Sequence, residues 1–123
     1  MYKTLAYLPF GWLTLIGVLH FIIDVVAQHL RGKRTAGLPT TLYYGMHTAY
    51  AMSEVLVGMV GLLIAWRAAT LLDDWRLVVF FGLAAVAWLG FGFYFDEYRE
   101  PKINVGIFLA LLVTMVVFRT QAT

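Results

Sequence analysis

The stretch Tyr43–Glu54 reads "YYGMHTAYAMSE". It lies near the start of a long apolar run with the character of a helix meant for lipid, yet it carries a histidine, three tyrosines and a glutamate. Lipid offers no hydrogen bonds, so in a spanning helix such groups must point into the protein. The surrounding sequence decides whether this helix is a spanning one.

The chain has 123 residues, of which 62% are hydrophobic and 13% charged. A soluble domain of this size cannot bury that much apolar surface, whereas a bilayer covers it. No hydrophilic stretch is long enough for a second unit, so residues 1–123 read as one transmembrane domain. The absence of cysteine rules out a disulfide framework, a thiolate metal site and an iron–sulfur cluster. Basic residues sit at segment ends and form no patch for nucleic acid.

Four apolar segments follow one another, at roughly 5–30, 41–66, 77–95 and 105–118. Each is near the ~20 residues a spanning helix needs, the last being the shortest. The intervening "RGKRTAGLPT", "RAATLLDDWR" and "DEYREPKIN" hold most of the charges and two of the three prolines, so they read as short loops. Short loops make successive helices antiparallel. The expected fold is an all-α, integral membrane, four-helix up-and-down bundle. The first segment is too long for a cleavable signal peptide and carries His20 and Asp24. The basic first loop (Arg31, Lys33, Arg34) leans both termini away from the cytoplasm. The expected location is a bacterial inner membrane.

Within helix 1, Gly17, His20, Asp24 and Gln28 recur at spacings of three and four, which is one helix face. Helix 2 repeats the pattern with Tyr43, His47, Tyr50, Glu54, Gly58 and Gly61. At ~1.5 Å per residue His20 lies ~12 Å, and His47 ~9 Å, from the first-loop side. The two histidines therefore sit at similar depth on neighbouring helices. Helix 3 returns to that side with Trp88 and Tyr94. One half of the bundle thus collects His20, Asp24, Tyr43, His47, Tyr50, Trp88 and Tyr94.

Several of these have plain structural uses. Tyrosines near helix ends anchor at the interface, and small residues such as Gly58 and Gly61 let helices approach. His29 is at the basic boundary, and Asp73, Asp74, Asp96 and Glu97 read as solvated loop charges. Two histidines and two carboxylates in one membrane interior go further, because ionisable groups there are costly. Two histidines could ligate one heme iron, or one could ligate it alone. Histidine with aspartate or glutamate could hold a non-heme metal, or the groups could relay protons. Ser53 has no evident nucleophile's partners, and no phosphate or dinucleotide glycine motif is present.

Two stretches together resemble styrene oxide isomerase, a small four-helix membrane enzyme. They are "HTAYAMS" (His47–Ser53) and "WLGFGFYF" (Trp88–Phe95), which cover the two middle helices, about half the chain. The resemblance implies heme b bound through His47. Its ferric iron would act as a Lewis acid that opens a small aryl epoxide to an aldehyde. It implies a role near the reacting group for Tyr94; Tyr50 and Trp88 could add aromatic walls for a ring-opened cation, Ser53 falls beside that group, and His20 could be a second ligand to the cofactor. It also implies a homotrimer with heme near subunit interfaces. Ser53 stands where that family has an asparagine. A second likeness joins "GVLHFIID" and "MSEV" to sterol isomerases of the emopamil-binding type. In that reading His20, Asp24 and Glu54 shuttle a proton across a double bond without a cofactor. The non-enzymatic rival is a small subunit of a membrane complex, whose polar stripes bind a partner helix, a quinone or a lipid.

Overall fold

The computed structural model describes residues 2–120, and side chains for 4–119. The first span is α1 (Tyr2–His20), a π-helical turn (Phe21–Val26) and a closing α-helical turn, α2 (Ala27–Leu30). After the loop come α3 (Leu38–Arg67), a short 3-10 turn (Ala69–Asp73), α4 (Trp75–Phe95) and α5 (Glu100–Thr120). Among the described residues, four helices are long and apolar enough to cross a membrane: Thr4–Leu30, Leu38–Arg67, Trp75–Phe95 and Glu100–Arg119. Leu15, Ile23, Leu63, Leu83, Phe80 and Val113 are among many large apolar side chains turned outward. That is the surface of an integral membrane protein, where lipid replaces water as the outer contact.

All four spans begin earlier than the apolar pattern indicates, the first at Tyr2 rather than 5. The second begins at Leu38 rather than 41, the third at Trp75 rather than 77, and the fourth at Glu100 rather than 105. Pro39 and Pro101 read as loop residues, yet each falls in a first helical turn, where proline's missing N–H costs nothing. Asp74 caps α4 by accepting a hydrogen bond from the Arg76 backbone N–H at 2.9 Å. Much of the charged "DEYREPKIN" is therefore helix.

The first span packs against α3 on one side and α5 on the other, and α4 packs against α5. Phe10, wholly buried, is the hub. Its ring lies 4.7 Å from Phe81 and 6.3 Å from Phe108, so three helices meet on one aromatic cluster. Trp12 Nε1 donates to the Asn104 carbonyl at 3.0 Å and ties α1 to α5. At the other end Arg119 donates to the Leu72 carbonyl at 2.7 Å and fastens α5 to the second loop. Between α1 and α3 the backbones approach at Gly17, Gly58 and Gly61, where an added Cβ would collide with the facing helix. With an even number of spans the chain ends on the side where it began. Reporter fusions at the two ends are expected on the same side of the membrane, and opposite sides would overturn the four-span topology.

Candidate functional site

The two histidines that the helical rise places at equal depth are in contact. His20 Nε2 and His47 Nδ1 share a hydrogen bond of 2.9 Å, and the rings stack at 27° with centroids 5.1 Å apart. On the other edge of His20, Nδ1 lies 3.8 Å from the Asp24 carboxylate, beyond hydrogen-bond range but at ion-pair distance. With a carboxylate on that side, the favoured tautomer carries its hydrogen on Nδ1. His20 Nε2 then accepts from the His47 Nδ1–H, and the result is a directed chain Asp24–His20–His47. The backbone helps set this order. Asp24 lies within the π-helical turn that follows His20. At roughly 4.4 residues per turn, residues four apart lie more nearly in line than in an α-helix.

Aromatic rings enclose the pair. Tyr43 packs on His47 with centroids 4.2 Å apart, and the Arg34 guanidinium lies 3.4 Å over Tyr43 on the loop side. Tyr50 also stacks on His20 at 5.3 Å and continues to Phe91 at 5.5 Å. His47 is 5% exposed. His20 and Asp24 border a cavity of about 470 Å³ between α1 and α5. Its walls are apolar (Trp12, Leu15, Ile16, Leu19 and Ile23), and its remaining lining, Tyr98, Glu100, Pro101 and Asn104, comes from the third loop and the start of α5. Glu100 and Asn104 lie in a segment that reads as loop, so the pattern of stripes in the first two helices could not find them.

The other residues singled out by the sequence go elsewhere. Ser53 and Trp88 meet at a separate cleft of about 340 Å³, lined also by Tyr50. Trp88 Nε1 donates to Ser53 Oγ at 3.0 Å, and Ser53 donates to the Tyr50 carbonyl at 2.7 Å. The first bond ties α4 to α3, and the second lies within α3. Tyr94 is 87% exposed on the outer face of α4, and the fold does not bring it to the histidines. Glu54 is buried two turns along α3 from His47, packed where α3 meets Gly17. The carboxylate that joins the histidines is therefore Asp24.

One donor atom from each of His20, Asp24 and His47 lies within 4.8 Å of the other two, so this group could hold a metal ion. A heme held between the two rings is different. Two iron–nitrogen bonds of about 2.0 Å in line require about 4 Å between the nitrogens, with the macrocycle between the rings. Here the nitrogens are 2.9 Å apart and the rings stack directly. A heme on His47 alone needs open space at that ring, but His47 is enclosed by His20 and Tyr43, and the cavity between α1 and α5 borders His20 instead. In this arrangement the residues do not fit heme b.

Comparison with protein families, with characterised proteins and with solved structures gave no match. The likeness to styrene oxide isomerase therefore rests on the two quoted motifs alone.

Proposed function

We propose that this chain is a membrane-embedded isomerase that moves a proton on a small hydrophobic molecule. The molecule occupies the cavity between α1 and α5, and Asp24, backed by His20 and His47, is the acid–base group. One observation carries the reading: a chain of three proton-bearing side chains ends at the wall of an apolar cavity of about 470 Å³. Cavities of roughly 300–1,000 Å³ with few polar groups suit small ligands.

The chemistry is balanced within the substrate. Asp24 takes a proton from a carbon next to a carbonyl or double bond, the unsaturation moves, and the proton returns to another carbon. An aryl epoxide enters the same scheme when protonated Asp24 gives its proton to the epoxide oxygen, the benzylic C–O bond breaks, and Asp24 takes a proton from the neighbouring carbon to leave an enol that tautomerises to the aldehyde. His20 orients Asp24 and, when His47 is protonated, hands Asp24 its Nδ1 proton while taking one from His47 Nδ1, and the apolar walls keep water from the intermediate. A positioned acid–base group contributes typically 10²–10⁴-fold.

The test uses chelator-treated protein in ²H₂O with a panel of unsaturated ketones, sterols and aryl epoxides. Proton transfer through Asp24 incorporates deuterium into recovered substrate or product. Aldehyde formed from an aryl epoxide with no deuterium, by protein carrying a heme absorption band, would instead favour the heme-dependent hydride shift that the resemblance implies. No exchange and no conversion across the panel would overturn both.

A further inference from the structure

We propose that His20, Asp24 and His47 also form a binding site for one divalent first-row transition-metal ion, and that filling it stops the proton transfer proposed above. The site stands on its own geometry; only the inhibitory effect rests on the isomerase reading.

The donor set is two imidazoles and one carboxylate, which suits zinc, iron(II), cobalt(II) or nickel(II) rather than magnesium or calcium. The key distance is between the two imidazole nitrogens, 2.9 Å. Two metal–nitrogen bonds of about 2.05 Å at a bond angle near 90° put their nitrogens about 2.9 Å apart. The rings are thus already spaced as neighbouring ligands of one ion. Asp24 has further to travel, since the three donors span up to 4.8 Å. Its side chain is 24% exposed at the cavity wall, so it is not locked in place by packing.

Charge favours the ion as well. A divalent cation with neutral imidazoles and one carboxylate leaves one positive charge in a medium of low dielectric. Glu100, on the wall of the same cavity, offers the second negative charge, and among the described residues no lysine or arginine lines that wall, the nearby Arg34 acting on His47 from the loop side over Tyr43. Because His20 and Asp24 both border the cavity, open coordination positions would face it.

The metal and the relay exclude one another for a simple reason. The hydrogen shared by His20 Nε2 and His47 Nδ1 occupies the lone-pair directions that an ion needs. On binding, that hydrogen leaves for the far nitrogen of the same ring or for water. Both lone pairs then go to the metal, and no proton can pass between the rings.

The experiment uses the full chain in nanodiscs, stripped with EDTA and titrated with Co²⁺ and then Zn²⁺. Visible cobalt bands and calorimetry read binding, and metal analysis after desalting reads stoichiometry. About one ion per chain is expected. His47→Gln and His20→Gln, which keep side-chain bulk, should each weaken binding by at least 100-fold, with helicity unchanged by circular dichroism. Glu97→Gln, outside the cluster, should bind as the parent does. Zinc should suppress deuterium exchange in parallel with occupancy. No ion bound, or equal binding by the His20→Gln/His47→Gln double variant, overturns the site. If ions bind but exchange continues, the inhibitory effect falls and the site stands. If nothing binds while chelated protein still exchanges deuterium, the metal proposal fails alone and the isomerase reading survives.

Discussion

Gly58→Ala is expected to push α1 away from α3 and to cost about 1–3 kcal/mol of stability, the usual range for overpacking a well-filled core. The added methyl would lie 2.7 Å from the Thr14 backbone nitrogen and 3.0 Å from the Phe10 carbonyl oxygen, besides meeting Thr14 Oγ1. Backbone atoms cannot rotate away, so the helices must separate. Gly61→Ala meets the Phe10 ring instead, with Cε1 at 2.5 Å. That ring is confined by Phe81 and Phe108 and has no free rotamer volume to move into. The consequence reaches the site, since a separation of about 1 Å between α1 and α3 breaks a 2.9 Å bond between His20 and His47. Equilibrium unfolding in mixed detergent checks the stability, and cobalt binding checks the site. Gly106→Ala is the control, because nothing lies within 4 Å of its added methyl. Equal stability of Gly58→Ala and Gly106→Ala would show that the close contact between α1 and α3 is not formed.

Much of this arrangement is legible in the sequence because lipid imposes few solutions. A segment of about 20 apolar residues with satisfied backbone groups must be a helix, and four of them with short loops must alternate in direction. The equal depth of His20 and His47 follows from that alternation and the fixed rise per residue, and the two rings meet as the depth implies. Other features are invisible to such counting. A π-helical turn at Phe21–Val26 leaves no mark on an apolar pattern, although it sets where Asp24 falls relative to His20. Prolines carry two meanings, breaker or first-turn residue, and at Pro39 and Pro101 the second applies. Helix periodicity places residues on a face but not against a particular neighbour. Tyr94 shares the correct end of the bundle with the histidines, yet its rotation about α4 turns it outward. The cavity joins α1 to α5, helices remote in sequence, so its α5 wall of Glu100 and Asn104 had no counterpart in the stripes of the first two helices.

Asp24→Asn is expected to lower isomerisation by 10²–10⁴-fold while the protein inserts and folds as before, since it removes an acid–base group and almost no volume. An amide cannot take up and return a proton, whereas its size matches the carboxylate at a position that is only part-buried. His20 loses its charged neighbour, so the tautomer that makes the Asp24–His20–His47 chain directional is no longer favoured. Asp24→Glu keeps the chemistry but moves the carboxyl by one methylene, and should restore part of the rate. Two readouts separate a chemical role from a structural one. Deuterium exchange should fall with turnover in Asp24→Asn, while the unfolding midpoint stays near that of the parent. Metal affinity should weaken as well, because Asp24 supplies the carboxylate of the donor set and the two imidazoles are left to hold the ion alone. If Asp24→Asn keeps full turnover, the proton enters from another wall of the cavity. Glu100 is then the remaining carboxylate on that wall, and Glu100→Gln must carry the loss instead. If neither variant slows a reaction that the parent performs, proton transfer in this cavity is excluded as the mechanism.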